Sequence, residues 1–162
     1  MLDSQIDSWD ILPNTGVGFF HIHDNWQKIV DFMNLYTIPY SIVKNRVFCS
    51  VKTDNMIIAF DKNKQVYAIT VFNCFGGKVN HSIGIGSTLS DVKKELGEYK
   101  DGMNAAYPTY ELTLIPGIEF KLSDDDIYDS IDDIMWDESQ IPIAEITVWD
   151  DKTWNCQVNQ HV

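Results

Sequence analysis

Carboxylates dominate the reactive side chains of this 162-residue sequence, and they are concentrated in one place. The stretch Ser123–Glu138, SDDDIYDSIDDIMWDE, holds eight acids and no Lys or Arg. Between Glu119 and Asp151, twelve of the chain's 24 acids stand against a single base, Lys121, a net of −11. The remaining residues carry twelve acids and eleven bases, a net of −1. Such a concentration could hold a divalent cation, supply paired carboxylates for acid–base work, or present negative potential to a basic partner. A calcium loop needs acids alternating with other residues, then a Gly and a terminal Glu. Asp124-Asp125-Asp126 lacks that pattern. Glycoside hydrolysis needs two carboxylates at a set separation, and so many acids single out no pair. Docking onto a basic surface needs charge plus aromatic anchors, and Tyr128 and Trp136 stand within the run. The expected partner-binding residues are therefore Asp125, Asp126, Tyr128, Asp129, Asp132, Asp133, Trp136, Asp137 and Glu138.

The other candidate groups assemble into nothing comparable. His21-Ile22-His23 would set two imidazoles on one face of an extended segment, but a transition metal needs a third ligand. Gly16-Val17-Gly18 and Gly84-Ile85-Gly86 precede helical segments without completing a phosphate-binding fingerprint, so they are read as turns. Cys49, Cys74 and Cys156 are odd in number and widely spaced, and read as reduced thiols of a cytoplasmic protein, buried or partly buried. There is no Gly-x-Ser-x-Gly and one Arg, Arg46. No catalytic residue, metal site or cofactor is expected. An acidic chain is repelled by phosphate, so direct nucleic-acid binding is not expected, and no apolar run is long enough to span a bilayer.

The elements that must position these residues follow from periodicity. Residues 1–15 read as a loose leader. Trp26, Ile29, Val30 and Met33 recur at helical spacing after a cap at Asp24 or Asn25. Strand signals follow at Tyr40–Val51, Met56–Phe60 and Val66–Phe72, with the polar connection Asp61–Lys64. A second helix spans Ser87–Gly97, with Ser90 as its cap and Leu89, Val92 and Leu96 as its stripe. Strands are then expected at Tyr107–Leu114, Ile118–Leu122 and Ala144–Trp149. The Ile-Thr-Val of 69–71 repeats at 146–148. The fold expected is α+β, one domain over residues 1–162. It contains two degenerate copies, 16–72 and 84–150, of a helix with a three-stranded antiparallel meander. Five residues join Phe60 to Val66, but about twenty join Leu122 to Ile143. The acidic run is thus an insertion that fold formation does not need, and long loops of this kind carry function. Within it, Ser123 as cap and Ile127, Ile131, Ile134 and Met135 on one face predict a short helix.

The segment Ile83–Val92 with Leu96-Gly97, then Pro116–Phe120, then Ile146-Thr147-Val148, resembles small bacterial immunity proteins of contact-dependent growth inhibition and other polymorphic toxin systems. The resemblance implies a cytoplasmic, non-catalytic protein that binds one cognate toxin domain, basic where the toxin is a nuclease, and blocks its active site. It transfers no individual binding residue. The alternative is a small acidic hydrolase or a ligand- or cation-binding domain.

Overall fold

The computed structural model describes residues 9–44, 49–102, 108–123 and 137–150. The chain is α+β, as its periodicity predicts. Three two-residue strands, β1 (Ile11–Leu12), β2 (Gly16–Val17) and β3 (Phe20–His21), form a small antiparallel sheet. Helix α1 (Trp26–Leu35) follows, then β4 (Ser41–Lys44), β5 (Cys49–Lys52), β6 (Met56–Phe60) and β7 (Val66–Phe72). Helix α2 (Leu89–Leu96) leads into β8 (Tyr99–Asp101), β9 (Thr109–Leu112), β10 (Ile118–Leu122) and β11 (Ile143–Trp149). The eight later strands make one antiparallel sheet in the order β4-β5-β6-β7-β11-β10-β9-β8. The chain therefore runs twice through a helix and a four-stranded meander, and the last strand of each, β7 and β11, join the meanders. No described helix is long and apolar enough to cross a membrane.

The two passes share a register about the β7–β11 pair. Thr70 pairs with Thr147, Ile69 with Val148 and Val71 with Ile146, so the repeated Ile-Thr-Val lies about a local two-fold centred on the threonine pair. The threonine hydroxyls meet at 2.9 Å across it. Each meander carries a bulge at the same place. After Ala59–Ala68, Phe60 pairs with Val66 and Tyr67 is the extra residue; after Lys121–Glu145, Leu122 pairs with Ile143 and Ala144 is extra. The entries to the helices also match. His23 and Asp24 bracket Val66 by backbone hydrogen bonds, as Gly86 and Ser87 bracket Ile143. His23 and Gly86 both sit at positive φ, 73° and 87°.

Four sequence expectations need correcting. Tyr40–Val51 is not one strand but the hairpin β4–β5, so each meander has four strands rather than three, and β8 goes unpredicted. The leader expected to be loose holds β1, and Ile11 is fully buried. The cap of α2 is Thr88, not Ser90. The Thr88 hydroxyl accepts from the Asp91 N–H at 3.2 Å, and the Asp91 carboxylate accepts from the Thr88 N–H at 2.9 Å, a capping box. Finally, the copies expected to begin at Gly16 and Gly84 do not align there, because Gly86 takes at its helix entry the place of His23 and not that of Gly18. Asn25 caps α1 as expected, accepting from the Lys28 N–H at 2.9 Å.

Both helices lie on one face of the sheet. Ile29 and Met33 from α1, and Leu89 and Val92 from α2, join Ile58, Ile69, Phe120, Ile146 and Val148 in one continuous core. Trp26 meets Phe60 edge-on at 4.9 Å between centroids. Leu96 is half-buried and packs against this core. Buried and half-buried residues alternate along β6 and β10, as expected of strands covered mainly on one side.

Candidate functional site

The acidic segment is placed by the hairpin that carries it. In the first meander the Asp61 N–H donates to the Gln65 carbonyl at 2.9 Å, closing a five-residue turn between β6 and β7. In the second, the Ser123 N–H donates to the Pro142 carbonyl at the same 2.9 Å, between β10 and β11. The ladder thus closes identically around five residues in one half and twenty in the other. On its return the excursion is anchored. Ile141 is 4 % exposed, and Pro142 bridges to the α2 cap, Thr88. A 3-10 turn at Glu138–Gln140 lies against α2. Asp137 is exposed and starts that turn, its carboxylate accepting from the Ser139 N–H at 3.1 Å. Of the residues expected to bind a partner, Asp137 and the backbone of Glu138 are therefore placed at the root of the excursion. Asp125, Asp126, Tyr128, Asp129, Asp132, Asp133 and Trp136 lie outside the described residues, as does the helix expected there.

The sheet face opposite the helices has its own polar pattern, which strand pairing makes explicit. One row across it reads Ser41, Lys52, Ile57, Thr70, Thr147, Glu119, Glu111, Lys100. About the threonine pair, Ile57 corresponds to Glu119, Lys52 to Glu111 and Ser41 to Lys100. The neighbouring row in the second half reads Phe72, Glu145, Lys121, Thr109. Three glutamates thus gather on β9, β10 and β11. Two have cations, Lys100 Nζ at 3.6 Å from Glu111 and Lys121 Nζ at 3.2 Å from Glu145. Among the described residues no cation reaches Glu119. Its half-buried carboxyl is held above the ordinary glutamate range mainly by lost hydration, with the negative charges of Glu111 and Glu145 adding; the nearby Thr109 hydroxyl works the other way. Sequence reading missed this group, because a lone acid in an alternating strand looks like any solvated face.

The remaining candidates separate. His21 and His23 do not converge. The His21 ring lies 3.8 Å from Asp24, whereas His23 Nε2 meets Asp150 at 2.9 Å. Cys49 is half-buried and Cys74 is exposed rather than buried, and neither forms a disulfide; Cys156 lies outside the described residues. A cavity of about 340 Å³ opens on the helix side, walled chiefly by Trp9, Phe20, Met33, Met56 and Phe75. None of its lining side chains is titratable, so its walls supply no acid or base.

No protein-family model matches the chain, and no curated protein matches it. Among solved structures it is similar to the uncharacterized protein yfeY from Escherichia coli. The similarity has a TM-score of 0.57 and 17 % identity, over 85 % of this chain and 98 % of that one. At that identity the likeness is one of fold.

Proposed function

We propose that this chain is a non-catalytic immunity protein that binds a cognate basic toxin domain and covers its active site with acidic surface. The observation that carries the reading is the paired hydrogen bond at the two hairpins. The frame closes with five residues, yet the second half uses twenty, and eight of them are acids. Concentrated like charge costs stability through self-repulsion, so its retention points to a partner. Carboxylates on such an excursion can occupy the places where a nuclease would hold substrate phosphates, and Trp136 and Tyr128 supply aromatic anchors. In this reading the protein acts in the cytoplasm, beside the toxin's target.

The test is co-expression with the product of the neighbouring reading frame. Wild-type protein should co-purify with it in stoichiometric amount. The variant with Asp125, Asp126, Asp129, Asp132 and Asp133 changed to Asn should remain folded and lose the complex as salt is raised. Equal recovery of both proteins at every salt concentration would remove the acidic excursion from the binding surface.

A further inference from the structure

We propose that the cavity between α1 and the β5–β6 hairpin binds a small neutral molecule with a flat apolar body and an oxygen acceptor, an aromatic alcohol or ketone. The proposal goes beyond the protein–protein role above and does not rest on it. The cavity shares no described residue with the acidic excursion.

The walls select the body of the guest. Trp9 stands 6.0 Å from both Phe20 and Phe75 between ring centroids, and Met33 and Met56 complete the enclosure. Rings and thioethers suit a flat aromatic guest, and about 340 Å³ lies at the small end of ligand sites. The wall is held in place at Gly77, where a side-chain carbon would run into the Trp9 carbonyl and the Phe75 ring. Beside it, exposed Gly76 leaves the mouth open, because a side-chain carbon there would meet nothing within 4 Å. None of the described lining side chains is titratable, so a charged guest would lose hydration without gaining a partner.

Asn55 selects the acceptor. The Thr53 hydroxyl donates to Asn55 Oδ1 at 3.3 Å, which occupies the amide oxygen. Among the described residues, Asn55 Nδ2 donates to nothing. The second half shows that the frame does not need this amide. The Phe72 N–H donates to the Asn55 carbonyl at 3.0 Å, as the Trp149 N–H donates to the Gly117 carbonyl at 3.2 Å, so Gly117 holds the equivalent place. There a side-chain carbon would collide with Asn14, and the space is filled by the protein itself. Nor does Asn55 tie its own hairpin. The Asn73 amide does so, donating to the Asp54 carbonyl at 2.8 Å, as the Asn14 amide donates to the Pro116 carbonyl at 2.7 Å. The Asn55 Nδ2 donor is thus spare, half-buried, and set at the edge of an apolar cavity.

The experiment follows methyl carbon-13 NMR signals of the full chain while 2-naphthol, naphthalene or 2-naphthoate is added. 2-Naphthol should move the Met33 and Met56 methyls saturably, with a Kd of about 100 μM, and leave Ile118, the counterpart of Met56, in place. 2-Naphthoate, which is charged, should move neither methionine. No saturable movement, equal movement at Ile118, or equal binding of the anion overturns the site. Asn55→Ala, and Asn55→Asp as a variant of the same size, should weaken 2-naphthol about 3- to 10-fold and leave naphthalene unchanged. Unchanged binding of 2-naphthol by both variants, or an equal loss for naphthalene, overturns the role of the amide. Neither the toxin nor the acidic excursion enters these measurements, so this site and the proposed function can fail separately.

Discussion

The two halves of the chain share a frame and differ in charge. Residues 1–80 hold seven acids and seven bases; residues 81–162 hold seventeen acids and five bases, which is the whole formal charge of −12. On the open face the same contrast appears residue by residue, with Lys52 and Ile57 in the first half against Glu111 and Glu119 in the second. Where the halves agree, the agreement concerns the frame: the helix entries, the bulges, the core rows and the hydrogen bond that closes the β6–β7 and β10–β11 hairpins. Where they differ, the second half adds carboxylates that the first shows to be dispensable for closure. Two meanders built on one register separate what folding requires from what is carried for another purpose.

The largest effect should come from attacking the frame itself. Phe120 is fully buried and occupies in the second half the place of Ile58 in the first. Phe120→Ala should cost about 3–5 kcal/mol and Ile58→Ala about 2–5 kcal/mol, read by denaturant unfolding. Because β7 and β11 join the meanders into one sheet, either change should weaken a single transition. Two separate transitions would show that the halves fold independently.

Next comes the charge difference. Neutralising the five aspartates of the excursion should slow association with a basic partner by about 10-fold or more at low salt, with little change in dissociation. Stopped-flow mixing at two salt concentrations reads this directly, and an unaltered salt slope would reduce the excursion to a solvated surface. Stability should hold or rise, since exposed ion pairs contribute little and these charges repel one another.

Helix caps should show smaller and matched effects. Asn25→Ala and Thr88→Ala each remove the side-chain oxygen that satisfies a first-turn N–H, and each should cost about 1 kcal/mol. A cap that mattered in one half alone would break the correspondence of the helix entries.

The smallest effect is one of pH. Glu119 binds its proton more tightly in the fold than in the unfolded chain. The resulting stability is full below the ordinary value near 4.5 and is lost as pH rises through the raised one. Asp91 runs oppositely. Its carboxyl is lowered, first by the Thr88 backbone N–H and then by the Thr88 hydroxyl, so its contribution is present above the ordinary range and lost as pH falls through the lowered one. Glu119→Gln should flatten the decline in melting temperature on raising pH from acid, and Thr88→Ala should not. Identical profiles for wild type and Glu119→Gln would contradict the burial of that carboxyl.

Much of the frame was legible because its signals are local. The helical spacing from Trp26 to Met33, the stop at Gly97 and the Val- and Ile-rich runs of β6, β7, β10 and β11 each declare themselves within a few residues. The β4–β5 hairpin did not, because apolar residues run up to both sides of Lys44-Asn45-Arg46 without a Gly or Pro to mark a turn. β8 is three residues, two of them charged, at the sheet edge, where strands are kept short and charged against stray pairing. Thr88 was passed over for Ser90, although Asp91 three residues after Thr88 is the capping-box signature. The site divides similarly. The acidic excursion is visible as composition and as a length difference between two hairpins. Glu119 becomes visible only once cross-strand pairing sets it against Thr147, the place that Ile57 holds against Thr70.

The second meander should close without its acidic excursion. The direct measurement is thermal unfolding, by far-ultraviolet circular dichroism, of a chain in which Ser123–Pro142 is replaced by the five residues of the first hairpin, Asp61–Gln65. The graft discards the buried side chain of Ile141, so a loss of about 2–3 kcal/mol is expected. The predicted result is one cooperative transition with the strand signal kept. A graft that fails to fold, or that melts without cooperativity, would contradict this and make the excursion part of the frame.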